Sequence, residues 1–343
     1  MSPLTYRDVG VNIDAGNRAV ALMREAVRRT YGPEVIRGIG AFGGLYDAAA
    51  LQGMKSPVLV ASTDGVGTKT KLAASLGRYD TVGQDLVHHC VNDILVQGAR
   101  PLFFLDYFAA AKLDPKIVAE VVEGCAVACR RVGCALLGGE TAEMPGVYAP
   151  GEFDLAGTIV GVVERDQIID GSTIQAGDIL IGLESSGLHT NGYSLARRIC
   201  AGQNMWVFRA ELGMSLLGGL LAVHRCYLSH VMALRGAGIE LRGLAHITGG
   251  GLVENVPRVL PPGLGVIIRL GSWPTPPLFT WLQRMGNVPD DDMRRTFNLG
   301  VGLVAVVPPA QVDATLAVLR DPALAGDAWP IGEVVSRAGV AFV

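Results

Sequence analysis

The sequence predicts an α/β (α+β) protein of two domains, and three observations predict it. At 343 residues the chain is long enough for two domains of ordinary size, each with its own core. Short apolar runs alternate with helix-patterned stretches in both halves, so each half mixes strands and helices. Glycines and carboxylates collect where apolar runs end, the place where strand-to-helix loops form sites in such folds.

Composition narrows the class. Half the residues are hydrophobic and 18% are charged, which describes a globular chain rather than a disordered one. The net charge is −3, with no block of Lys or Arg, so nothing favours a nucleic-acid groove or an acidic membrane surface. The weakly charged stretch Met214–Val223 is too short to span a bilayer. The segment Met1–Asp8 lacks the apolar centre of a signal peptide, and the expected location is cytoplasmic. Of the six cysteines, Cys125, Cys129 and Cys134 lack the C-x-x-C spacing of a zinc site. Cys125 and Cys129 share a helix face with Val121 and Val122, so buried reduced thiols are expected.

The first element that carries chemistry is Ser62–Thr70, Ser-Thr-Asp-Gly-Val-Gly-Thr-Lys-Thr. The apolar run Val58–Val60 feeds it and a helix pattern over 72–76 follows. Asp64 suits a divalent cation, Lys69 suits a phosphate, and Gly65 and Gly67 let backbone amides approach either. Thr68 adds a hydroxyl beside them. On its own an Asp-Gly turn after a strand is ordinary turn chemistry. Ahead of it lie the glycine-rich 8–16, a helix over about 17–29, and the glycine-rich 38–44. These glycines suit either turns or a lid over a ligand.

A helix is expected over 83–98, with Asp85, His89, Asn92 and Asp93 along one side and Leu86, Val87, Cys90, Ile94 and Leu95 supplying apolar surface. A strand follows over 101–110, with Asp106 unusually placed inside it. Then come a helix over 115–132 with Pro at its first turn and a short buried strand over 135–137. That strand ends in Gly138-Gly-Glu-Thr-Ala-Glu-Met-Pro-Gly146, where Glu140 repeats the design of the opening loop. Asp64, Asp93 and Glu140 are therefore a candidate Mg²⁺ set, since Mg²⁺ prefers oxygen ligands and bridging phosphates. After a strand over 153–163, residues 168–177 form the expected boundary between domains 1–168 and 169–343.

The second half opens with a strand over 179–183 and the loop Glu184–Gly192. Ser185, Ser186, His189, Thr190 and Asn191 gather there at a strand-to-helix junction suited to a phosphate or an amide substrate. Residues 202–238 read as mostly helical. His246-Ile-Thr-Gly-Gly-Gly251 leads into a helix whose free amides at Gly249, Gly250 and Gly251 would suit an anion. A strand over 301–307, a helix over 310–320 and a last strand near 331 close the chain.

Together these stretches resemble the phosphoribosylformylglycinamidine cyclo-ligase (aminoimidazole ribonucleotide synthetase) family of purine biosynthesis. The resemblance rests on Gly10–Gly16, Thr63–Lys69, Cys90–Asp93 with Gln97-Gly98, Pro101–Tyr107, Gly138–Gly146, Ser185–Gly187 with His189 and Asn191–Ser194, His246–Gly251 and Arg295–Asn298. These ordered motifs cover residues 6 to 335. The resemblance implies a homodimer whose N-terminal sheets pair, with a C-terminal α/β domain beside each. It also implies ATP and Mg²⁺ acting on formylglycinamidine ribonucleotide, with ADP, phosphate and an imidazole product released. By motif it implies Mg²⁺–phosphate contacts at Asp64, Asp93 and Glu140, and phosphate neutralisation at Lys69. His189 and His246 would manage the formyl group or its protons. Gly65, Gly67, Thr68, Asn92, Ser185, Thr190, Asn191 and the amides of Gly249, Gly250 and Gly251 would contact nucleotide or substrate. An acid stands where His246 lies in related kinases, so His246 favours the cyclo-ligase branch.

Two departures stand out. Where the family has Pro-Thr-Arg-Ile-Tyr, this chain keeps Arg225 and Tyr227 but replaces the Pro-Thr with Val223-His224. The segment 201–218 is divergent and shortened. These changes motivate an alternative, a catalytically silent nucleotide-binding relative. The formylglycinamidine synthetases that resemble this chain are normally much longer and carry a glutaminase Cys-His arrangement not visible here.

Overall fold

The computed structural model describes residues 4–343; Met1 to Pro3, where the segment read as lacking a signal peptide begins, lie outside the described residues. The chain divides into two units, one running to Ile94 and resuming over Ala99–Asp166, the other formed by Leu95–Gly98 and Gln167–Val343. The sequence expectation placed the boundary after residue 168 and kept 95–98 in the first half. Those four residues sit with the second unit because Leu95 joins its core and Arg235 donates to the carbonyls of Gly98 and Gln167.

The first unit contains α1 (Ile13–Arg28), β1 (Val35–Arg37), β2 (Leu45–Tyr46), β3 (Pro57–Gly65), α2 (Lys69–Leu76), α3 (Val82–Leu95, its last residue counted with the second unit), β4 (Arg100–Ala110), α4 (Pro115–Arg131), β5 (Ala135–Glu143) and β6 (Phe153–Glu164). Its main sheet has the order β3-β6-β4-β5, with β4 and β5 parallel and the other pairs antiparallel. Local sequence sets the helix starts. Asn12 caps α1 by accepting from the Ala15 amide. Asp114 caps α4, with Pro115 at the first position, where no amide is needed. Helices α3 and α4 approach so closely that a methyl on Gly83 would strike the Val121 carbonyl. Leu86 and Ile94 of α3 reach glycines 157 and 161 of β6. The opposite sheet face is open: Leu59 is 62% exposed, and Ala61, Thr63 and Leu105 are also exposed.

The second unit contains β7 (Ile179–Glu184), α5 (Tyr193–Ile199), β8 (Phe208–Arg209), β9 (Met214–Ser215), α6 (Leu216–Leu220), α7 (Leu228–Gly236), β10 (Gly243–His246), α8 (Gly251–Asn255), β11 (Gly265–Ile268), α9 (Pro277–Gly286), α10 (Asp290–Thr296), β12 (Val301–Val307), α11 (Val312–Leu319), β13 (Ala328–Val335) and β14 (Gly339–Phe342). Its six-stranded sheet has the order β10-β12-β7-β13-β11-β14, antiparallel except for the last pair. Every residue of β12 is buried. Leu303, Ala305 and Val307 enter one core with Ile181, Val231 and Leu234, while Val301, Val304 and Val306 enter another with Leu180, Val266 and Ile331. Burial on both faces explains why β12 is apolar at every position instead of alternating.

The expectation of a mostly helical 202–238 is corrected. Helices α6 and α7 cover only part of it, β8 and β9 form a small hairpin, and 222–227 has no regular structure. Apolar composition there reflects burial of Leu220, Leu221 and Tyr227 rather than helical periodicity. All six cysteines are free; Cys125, Cys129 and Cys134 are buried. Burial pushes the Cys125 and Cys129 thiols well up, which keeps them unreactive. Among the described residues no helix is long and apolar enough to cross a membrane.

Candidate active-site residues

In the first unit the C-terminal end of β3 faces one side of α3. Asp64 Oδ2 lies 2.8 Å from His89 Nε2, and Asp93 Oδ2 lies 3.7 Å from the same nitrogen. The Ser62 hydroxyl donates to Asp93 at 3.2 Å, and the Gly65 amide donates to Asp64 at 2.7 Å. Helical spacing produces this convergence, because His89 and Asp93 are one turn apart on α3. Burial opposes a charge on His89. The Asp64 hydrogen bond and the charges of Asp93, Asp64 and Asp85 outweigh it and raise the imidazole above its ordinary value.

Lys69, at the start of α2, and Asp85 of α3 form a second pair, 2.8 Å apart with both side chains fully buried. Burial lowers the Lys69 pKa and Asp85 opposes the shift. Sequence reasoning assigned Lys69 to a phosphate and read Asp85 only as part of a polar helix side. Gly67 (φ +67°) turns the chain and accepts from the Thr70 hydroxyl. Asn92 is buried within α3, and Thr68 is half-buried on the loop.

Glu140 does not join Asp64 and Asp93 within the chain. Strand register explains this: Asp64, Gly157, Asp106 and Gly139 form one row across the sheet, and Glu140 lies in the next row opposite Tyr107. Neighbouring rows point to opposite faces. On the Asp106 side of the sheet lies a cavity of about 370 Å³, lined by Asp106, Glu143, Asn12, Val20 and Leu136. Glu143 fixes the chain there, accepting from the Leu113 amide at 2.8 Å and from the Asn12 amide. Burial raises Asp106 to about 7, only partly offset by its own backbone amide. The one sequence signal for this cavity was Asp106, an acid inside a strand.

In the second unit the loop after β7 brings together residues from distant stretches. The Ser185 hydroxyl contacts Asn298 Oδ1 and the Gly187 carbonyl, each at 3.0 Å, so it anchors the loop. His189 takes a positive φ of 61° and accepts from the Ser186 amide at 3.2 Å. Its ring stacks on His224, with centroids 3.9 Å apart and planes 20° apart. His224 Nε2 lies 3.0 Å from His246 Nε2, and Thr190 Oγ1 lies 3.5 Å from His224 Nδ1. His189, His224 and His246 are all buried. Sequence reasoning named His189 and His246 but treated His224 only as part of a departure from the family pattern.

The three histidines offer donor nitrogens within 4.8 Å of one another. A single ion nonetheless does not fit them as placed. A metal lies near the plane of each imidazole that binds it, and stacked, nearly parallel rings direct their lone pairs side by side rather than at one point.

The expectation of free amides is corrected at residues 250 and 251. The Gly250 amide donates to the Arg295 carbonyl and the Gly251 amide to Thr248, both at 3.0 Å. The Asn255 amide group binds the carbonyls of Thr248, Gly249 and Gly251, fixing the turn from within. The Asn191 amide lies 3.5 Å from the Thr190 hydroxyl.

Residues 46–163 match the family described as AIR synthase related protein, N-terminal domain, and residues 175–343 match AIR synthase related protein, C-terminal domain. The chain is 55% identical over 342 residues to a phosphoribosylformylglycinamidine cyclo-ligase of Gloeobacter violaceus, covering 99% of this chain and 100% of that one. It is 54% identical over 344 residues to a protein of the same name from Desulfitobacterium hafniense, covering 99% of each. Among solved structures, hydrogenase maturation protein HypE in complex with ATP superposes with a TM-score of 0.69 at 22% identity, covering 98% of this chain and 93% of that one. Such low identity speaks to the fold alone.

Proposed function

Because the chain belongs to the phosphoribosylformylglycinamidine cyclo-ligase family and is a carbon–nitrogen ligase, we propose that it closes formylglycinamidine ribonucleotide to 5-aminoimidazole ribonucleotide at the expense of ATP. The formyl amide oxygen attacks the terminal phosphorus of ATP, and the bond to ADP breaks. The amidine nitrogen then attacks the activated carbon, the carbon–oxygen bond breaks, and phosphate and a proton leave. Phosphorylation makes a poor leaving group a good one. Holding both ends of one substrate makes closure an intramolecular step.

The observation that carries this reading is the convergence of Asp64 and Asp93 at the C-terminal end of β3. Two carboxylates beside the Ser62 hydroxyl are the hard oxygen donors that Mg²⁺ takes, so the residues fit the ion. Bound there, Mg²⁺ would neutralise charge on the phosphates. The cavity beside Asp106 and Glu143 is of a size that suits the nucleoside end of ATP. A phosphate contact by Lys69 requires the ammonium to exchange Asp85 for a phosphate oxygen. His189 and His246, with Thr190 and Asn191, would manage the formyl group and the amidine protons. The open sheet face at Leu59, Ala61 and Leu105 is the surface on which we place a homodimer contact.

A silent nucleotide-binding relative is the second reading, favoured by His224 standing where the family has Thr. Phosphate release from ATP, measured with and without formylglycinamidine ribonucleotide alongside imidazole product, separates the two. Release matched one-for-one by product supports the ligase; ATP binding without turnover supports the silent relative.

A further inference from the structure

We propose that His224 is a positioning residue that fixes the tautomer of His246, the two rings sharing one proton. The inference rests on the reading of His246 as a site residue. Its starting point is the 3.0 Å separation between the two Nε2 atoms. At that distance only one proton fits between them. Two protons would face each other, and none would leave two lone pairs in contact. Burial of both rings adds to the constraint, because doubly charged imidazoles are costly away from water.

One ring therefore carries Nε2–H and the other an Nε2 lone pair, so their tautomers are complementary. When His224 holds the shared proton, its Nδ1 is a lone pair facing the Thr190 hydroxyl, and His246 presents Nδ1–H. When His246 holds it, His224 carries Nδ1–H toward the Thr190 oxygen, and His246 presents an Nδ1 lone pair. A proton arriving at His246 Nδ1 in the second state sends the shared proton to His224 Nε2, leaving His246 neutral with Nδ1–H and His224 as an imidazolium whose Nδ1–H faces the Thr190 oxygen, so the pair holds the one proton and the one charge it has gained. Atoms and charge balance at each transfer. Ring closure must shed a proton from the attacking nitrogen, and this line would accept it.

The surroundings hold His224 in place for the role. Its ring is stacked on His189, whose Nε2 accepts from the Ser186 amide, and the Ser186 hydroxyl donates to the Val223 carbonyl at 2.6 Å. Threonine at position 224 has neither the reach nor the second nitrogen.

The test is two-bond ¹H–¹⁵N spectroscopy on full-length protein labelled with ¹⁵N-histidine, combined with steady-state kinetics. The expected result is one ring with a pyrrole-type Nε2 and one with a pyridine-type Nε2. His224→Thr should then shift the His246 nitrogens and lower kcat by about tenfold or more with KM within about twofold. Should His224→Thr fail to fold, His246→Gln reads the same coupling through the His224 nitrogens. Like tautomers at the two rings, or His246 signals unmoved in the variant, would overturn the proposal. Complementary tautomers in a wild-type protein without turnover would uphold the shared proton and reject the ligase reading on which its use depends.

Discussion

Lys69 Nζ and Asp85 Oδ2 meet at 2.8 Å with neither side chain reaching water. This pair fastens the start of α2 to the first turn of α3, so it sets the turn that follows Asp64. Removing one member strands the other charge in the interior. Lys69→Met is expected to lower unfolding free energy by about 3–5 kcal/mol, and Lys69→Met with Asp85→Leu to recover most of it. Urea denaturation of the two variants checks this; equal losses would show that the pair does not act as a unit.

Asp106 gives stability a definite pH dependence. Its folded pKa of about 7 lies above the unfolded carboxyl value of about 3.9. Its contribution is fully present below the unfolded value and is lost as pH rises toward and through about 7. Asp106→Asn should therefore match wild type near pH 4 and exceed it by a growing margin up to pH 8. Melting temperatures across that range test the sign. A constant difference would refute it.

Gly302 on β12 leaves no room for a methyl group, which would collide with the Tyr227 hydroxyl and the His189 ring. Gly302→Ala is expected to lower stability by about 1–3 kcal/mol, the usual effect of overpacking, and to shift the histidine ring resonances. Stability and spectra unchanged from wild type would mean the rings have slack that their stacking does not show.

Leu59 tests the open sheet face. If copies of the chain pair there, Leu59→Asp should give a monomer by sedimentation with little change in monomer fold, because the side chain touches solvent in the single chain. A dimer of unchanged affinity would move the interface elsewhere.

The parts of the fold and site that were legible in sequence are those encoded locally. The strand runs further than expected, to Gly65, and turns through 66–68 straight into α2 at Lys69, and the helix period of 3.6 places His89 and Asp93 on one side of α3. The same period gives only direction, so it did not reveal that Asp85 is sealed against Lys69 while Asp93 keeps some exposure. Glu140 looked like a third metal ligand because its motif repeats the first loop. Strand register, a tertiary property, turns it to the other face. His224 was hidden for the same reason: it lies in an irregular segment, and its partners are far away in the chain at positions 189 and 246. The amides at 250 and 251 looked available because their acceptors, Arg295 and Thr248, are not set by the glycine run itself.

The histidine stack rests on Gly302, and Gly302 belongs to the strand enclosed by apolar side chains on both sides. Amide protons of such a strand exchange with solvent only when the whole unit opens. Deuterium uptake along β12 is therefore expected to report global opening of the unit, and Gly302 ties the imidazoles to that strand.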